Sequence, residues 1–264
     1  VNQPGMPLGA DGLPTGELYG PDAMTPVAGF VGYDRAMTDC DERGLLDYAK
    51  LCVRAGVTTS TDLAARLTDE SVSMMLDVTS RGRFPLRVVP LRVFFGMTPE
   101  ECVAYVLELK EKSTDLLRLG RIKAVADGSI QGFSARMRWP GYHNGAPNGL
   151  WYTPPEQMSE LYNLALAAGV QAHTQTNGDQ AAQMALDVFE PAIRANPSPD
   201  HRFTIQHCQL ADAAQFAKMG KLGMCVNLFA NHHFYWGDEH YRLTVGPERA
   251  MRMNATRTAL ASNV

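Results

Sequence analysis

"TPPEQMSELYNLALAAGVQAHTQTNGDQ", residues 153–180, runs through a helix, a glycine, a strand and the start of another helix. Thr153, Pro154, Pro155 and Glu156 have the form of a capping box. The Thr side chain accepts a first-turn N–H, and Pro fits where no N–H is needed. Met158, Leu161, Tyr162, Ala165 and Ala168 then recur at helical spacing and predict a core-facing stripe. Gly169 closes the helix, because glycine takes the left-handed residue past a helix end without a Cβ penalty. In the strand that follows, alternation puts Gln171, His173 and Gln175 on one face. Asp179 falls at the next helix start, where the helix dipole favours a carboxylate, so capping accounts for it.

The same unit recurs along the chain. "ERGLLDYAKLCVRAGVTTSTD" (42–62) gives a helix closed by Gly56 and a strand ending at Asp62, and Thr98-Pro99-Glu100-Glu101 marks a further capped start. Strands are predicted over 57–62, 86–95, 121–127, 169–175, 202–208 and 222–229. Helices are predicted near 42–55, 69–81, 99–117, 155–168, 179–194, 209–219 and 247–260. Alternating strands and helices mean parallel βαβ units. No glycine-rich phosphate loop follows an early strand, and polar residues cluster at C-terminal strand ends, which favours a (β/α)8 TIM barrel over a doubly wound sheet. Only about six of the eight strands have clear signals. Residues 1–40, rich in Gly and Pro, are expected to be a loop-rich wrapping segment and 41–264 an incomplete barrel domain.

The 264 residues are 45% hydrophobic and 20% charged, with a net charge of −4, an ordinary globular composition that gives no reason to expect nucleic acid. Five widely spaced cysteines (Cys40, Cys52, Cys102, Cys208, Cys225) form no C-x-x-C pair, which argues against a disulfide framework or a zinc knuckle. No apolar run approaches the roughly 18–20 residues of a spanning helix, and the first residues lack the pattern of a signal peptide. The expectation is no membrane partner and a cytoplasmic location.

"RIKAVADGS" puts Lys123, Val125 and Asp127 on one strand face, the Lys and Asp roughly 13 Å apart at about 3.3 Å per residue. A mid-strand lysine must be desolvated, paired or modified. Spacing alone favours a lysine at the wet start of its strand, paired with a carboxylate. His207, in phase with Phe203 and Ile205, stands at the barrel mouth if that face points inward, where neutral imidazole suits a divalent metal or a general base. Two loops could form a substrate wall. Residues 128–151 carry Trp139 and His143; residues 231–241 carry His232, Trp236 and His240, whose irregular spacing suits a wall better than a second metal cluster.

Taken in order, "GVTTSTD", "IKAVADGSIQG", "HTQTNGDQA", "FTIQHCQLAD" and "NLFANHHFYWGDEH…GPERA" resemble the amidohydrolase superfamily, and within it the family 3 branch with N-substituted formamide deformylase-like proteins. The resemblance runs from about residue 12 onward. It implies a metal-dependent hydrolase in which metal-bound hydroxide attacks a C–N bond, with one or two divalent metals, zinc for preference. By the resemblance Lys123 matches a metal-bridging lysine carboxylated by CO2, and His207 a sixth-strand histidine ligand. The fifth-strand histidine position is held by Gln175, with His173 two residues deeper as support or substitute. Lys123 and Asp127 are the expected catalytic pair. The family's H-x-H pair and eighth-strand aspartate have no counterpart, so first and last strands are expected to be missing. The chain is then expected to bind metal weakly, to be inactive, and to cover its open edges by homodimerisation. The alternative is a non-catalytic barrel used for binding or regulation.

Overall fold

The computed structural model of the protein describes residues 5–32 and 41–264. In chain order these hold α1 (Pro21–Ala28), α2 (Glu42–Arg54), β1 (Thr59–Ala65), α3 (Asp69–Ser80), β2 (Arg87–Val93), α4 (Pro99–Glu111) and β3 (Arg121–Val125). They continue with α5 (Pro155–Ala167), β4 (Gln171–Thr176), α6 (Asp179–Ala195), β5 (Thr204–His207), α7 (Ala213–Lys221) and β6 (Cys225–Leu228). The chain ends with α8 (Asn231–Glu239), a π-helical turn (His240–Thr244), α9 (Gly246–Met251) and α10 (Thr256–Ala261).

The six strands pair in sequence order, β1-β2-β3-β4-β5-β6, every neighbour parallel. This is an α/β fold with six parallel strands in a curled half-barrel. The helical side is dry: Ile122, Ala124, Ala172 and Ile205 pack beneath Met158, Leu161, Tyr162, Ala165 and Phe189. Tyr162, Phe189 and Phe203 meet edge-on or tilted at 5.2–5.7 Å between centroids, a geometry that adds to their area burial. The Tyr162 hydroxyl donates to Thr174 Oγ1 at 2.7 Å, so the one polar atom of that stripe is satisfied. A second cluster joins α2, α3 and α4 to β2. Gly56 and Gly169 close their helices at φ 74° and 63°, as their spacing predicts.

Several expectations change. Thr98 forms its capping box, whereas α5 starts at Pro155 as predicted but with Pro154 in place of Thr153 as N-cap and no side-chain cap. Thr153 Oγ1 is left buried without a partner, since a second proline displaces the first turn away from it. The helix predicted over 209–219 starts at Ala213, where Asp212 and Gln215 supply a capping box. The last predicted helix divides at Asn254, which adopts a left-handed φ of 49°. Residues 231–241 are helical throughout rather than a loop. Within 1–40, residues 21–28 form α1, and Gly5, Met6, Pro7, Glu17 and Tyr19 share a groove with Phe133, Asn148 and Leu150 of the long loop after β3. Residues 1–4 and 33–40, including Cys40, lie outside the described residues. Among the described residues no helix is long and apolar enough to cross a membrane.

Asp179 does not cap its helix, because the N-cap is Gly178. Its buried carboxylate instead accepts from Arg138 N at 2.8 Å and lies 3.2 Å from Arg249 and 3.8 Å from Arg252. Partners remote in sequence have taken over a residue that local reasoning assigned to the helix terminus.

Candidate functional site

Opposite the helices, the inner face of the sheet is polar. Parallel pairing sets Lys123 of β3 beside His173 of β4, and Gln175 of β4 beside Gln206 of β5. Lys123 is only 3% exposed, and its Nζ donates to Gln206 Oε1. No carboxylate pairs with it among the described residues, so the expected ion pair is replaced by a neutral amide. Burial without a counter-ion holds the Lys123 amine down at about 7. The Gln206 amide nitrogen faces His173 Nδ1 at 2.9 Å, and the Gln171 amide nitrogen faces Nε2, also at 2.9 Å. Burial, then the charges of Lys123 and Arg121, lower His173 to about 4.

His207 reaches this face by an unexpected route. Phe203 and Ile205, its predicted phase partners, point outward into the core beneath the helices. His207 and Cys208 are both left-handed, at φ 62° and 47°. That break in alternation turns the His207 ring back so that Nε2 lies 3.2 Å from Gln175 Oε1. Non-glycine residues held there cost roughly 1–3 kcal/mol each, and such strain gathers at functional sites. Burial first, then Lys123 and His232, lower His207 to about 4. The condition that the Phe203–Ile205 face points inward is not met, and the residue that sequence phase missed is Gln206, legible only once β5 is registered against β4.

Asp127 lies two residues past the end of β3. It is fully buried, and its carboxylate accepts from Asn177 N, Gly178 N and Arg136 N at 2.8, 2.8 and 2.9 Å. Burial pushes the carboxyl up to about 7 against the pull of those three donors. Its backbone oxygen accepts from Gln175 Nε2 at 2.8 Å. Asp127 thus sits beside the Lys123 group with its carboxylate spent on holding two loops.

Of the predicted wall residues, His232 comes nearest. Its ring lies 5.0 Å from Phe229, which lies 5.2 Å from His207, and it stacks on His240 at 5.5 Å with Nδ1 and Nε2 3.2 Å apart. Trp236 is partly exposed on the same helix. Trp139 is 92% exposed, and His143 packs against Gly246; among the described residues neither makes a hydrogen bond or ring contact with the Lys123 group.

Among the described residues no group of three or more His, Cys, Asp or Glu is placed to hold a metal ion. Gln175 is tied to Asp127 and His207, and both His173 ring nitrogens face glutamine amides. As they stand, these residues do not fit a metal site.

Six parallel strands with helices outside and a polar inner rim define a partial (β/α) barrel. The Amidohydrolase family profile matches residues 4–264, and the chain belongs to that family. It is 29% identical over 227 residues to Protein LONG AFTER FAR-RED 3 of Arabidopsis thaliana, covering 80% of this chain and 38% of that one. An uncharacterized metal-dependent hydrolase from Pyrococcus furiosus superposes with a TM-score of 0.67 at 16% identity, over 90% of this chain and 47% of its own. The atrazine chlorohydrolase from Arthrobacter aurescens TC1, solved with zinc, gives 0.53 at 12% identity, over 91% and 51%. The chain therefore spans about half the length of these solved relatives and less of the curated one.

Proposed function

We propose that the intact protein is a metal-dependent hydrolase of C–N, amide-type bonds in small molecules, of the formamide deformylase-like kind, and that Lys123 and His207 belong to its metal-facing rim. One observation supports this above the others. An uncompensated buried lysine and a strained histidine are brought to the same inner face, which packing alone does not require. A bound metal would supply a polarised carbonyl and an activated water. The described residues lack a third matched ligand, so we expect this chain to be silent by itself, with Lys123 unmodified.

Metal analysis of the chain expressed with zinc and bicarbonate tests this. We expect well under one zinc per chain. Gln175→His should raise zinc affinity at least about tenfold, since imidazole is a far better zinc ligand than an amide. Full occupancy in the unsubstituted chain would contradict the reading of Gln175. An unchanged affinity in the variant would contradict the assignment of the rim. A binding or regulatory role has one observation in its favour: Gln175 is locked to Asp127 and His207 by hydrogen bonds.

We further propose a cytoplasmic protein, with residues 1–40 as a loop-rich segment wrapping an incomplete barrel domain at 41–264. Among the described residues β1 and β6 each have one unpaired edge. Open parallel edges recruit other chains, so we expect a homodimer. Light scattering checks this, and a well-behaved monomer would count against it.

A further inference from the structure

The other end of the sheet carries a feature the rim does not use. The N-terminal ends of β3, β4 and β5 open on a cavity of about 210 Å³ lined in part by Lys110, Arg118, Arg121, Gln171, Asp200 and Arg202. At about 30 Å³ per water, that is room for several waters or one tetrahedral oxyanion. Four cations face one carboxylate, and Asp200 is already committed: its two oxygens accept from Arg202 Nε and Nη2, each at 2.8 Å.

Arg121 is half-buried among these charges. Its Nε donates to Gln171 Oε1 at 2.9 Å, which fixes the guanidinium plane. Its two terminal nitrogens have no hydrogen-bond partner among the described residues and are not sealed from the cavity. Neither Arg118 nor Arg121 has a carboxylate partner among the described residues. Burial, then the charges of Arg118 and Arg202, pull Arg121 below its ordinary value, the mark of cations gathered without compensation. His201 is already committed: Nδ1 accepts from Phe203 N and Nε2 lies 2.9 Å from Leu222 O. A planar fork with free donors, flanked by two further guanidinium groups, matches an oxyanion with several acceptor oxygens.

We propose that this cavity binds a phosphate group, free or as a small phosphomonoester, with Arg121 as its central contact and Arg118 and Arg202 on either side. The test is calorimetry and thermal melting of the 264-residue chain with inorganic phosphate, glycerol phosphate, or chloride at matched ionic strength. Phosphate and glycerol phosphate should bind and raise the melting temperature, and chloride should do neither. Tighter binding of glycerol phosphate would assign the site to an ester; equal binding would assign it to the free ion. Arg121→Gln should weaken phosphate at least about tenfold, and Arg121→Lys should keep part of the affinity, retaining charge without the fork. Arg118→Gln, at an exposed position that the fold tolerates, should weaken it severalfold. Phosphate acting no better than chloride, or full affinity in both glutamine variants, would overturn the proposal. No rim residue takes part, so either result leaves the proposed hydrolase as it stands.

Discussion

Lys123→Met is expected to stabilise the chain at neutral and acid pH, with the gain vanishing as the pH rises toward 10. In the folded protein burial holds the Lys123 amine at about 7, against an ordinary 10.5. The unfolded chain therefore binds more protons between those values, so the unsubstituted protein gains stability as pH rises through that window and carries the full penalty below it. At about 1.4 kcal/mol per unit, the ceiling is on the order of 5 kcal/mol. Methionine fills the same unbranched space, but it leaves Gln206 Oε1 without a donor, which costs roughly 1–3 kcal/mol. The net expectation is a gain of about 2–3 kcal/mol at pH 6 and a small loss at pH 10.

The histidines push the same way. After burial, the Lys123 charge contributes to lowering both His173 and His207 to about 4. Depressed histidines lose stability as pH falls from their unfolded value toward 4, and removing the lysine charge lets both rise. Urea unfolding at pH 6, 8 and 10, with the two imidazoles followed by NMR, reads all of this. A difference between variant and parent that does not change with pH would mean that Lys123 keeps the same charge folded and unfolded, as a bound or covalent partner would impose.

Much of the scaffold was legible because its signals are local. The Met158–Leu161–Tyr162–Ala165 stripe, Gly56 and Gly169 each act within one helix turn, and parallel βαβ order follows from alternation alone. The site was legible as residue types more than as contacts. Lys123 could be seen as mid-strand, yet its amide partner lies 83 residues away and depends on strand register. His207 was found by motif, while its orientation rests on two left-handed residues that no glycine announces. Asp179 was misjudged because a carboxylate near a helix start has a ready local explanation, while the partners that actually hold it come from elsewhere in the chain.

Asp127→Ala is expected to cost more than any other single change at the rim. Three backbone N–H groups, from Arg136, Asn177 and Gly178, converge on a carboxylate with no solvent exposure. Truncation orphans all three, and each buried orphan costs roughly 1–3 kcal/mol, reduced where water enters the space left behind. A total of about 3–5 kcal/mol is expected at acid pH, a large part of a typical domain's stability. The cost shrinks as pH rises from 3.8 through about 7, because the variant escapes the burial penalty of the ionised carboxylate. Asn is no remedy, since it retains one acceptor oxygen and turns an N–H2 toward donors. The junction has no slack: a Cβ on Gly178 would fall 1.8 Å from Arg136 O, so the two loops already touch at backbone distance. Urea unfolding gives the global cost, and hydrogen exchange gives its location, because amides 136, 177 and 178 should lose protection first. Gln175 hangs from the Asp127 backbone oxygen, so the 3.2 Å contact between Gln175 and His207 should loosen with them. An Asp127→Ala chain that unfolds within 1 kcal/mol of the parent, with those three amides still protected, would show that the loops are held by their glycines and arginines instead, and that the buried carboxylate is free for chemistry after all.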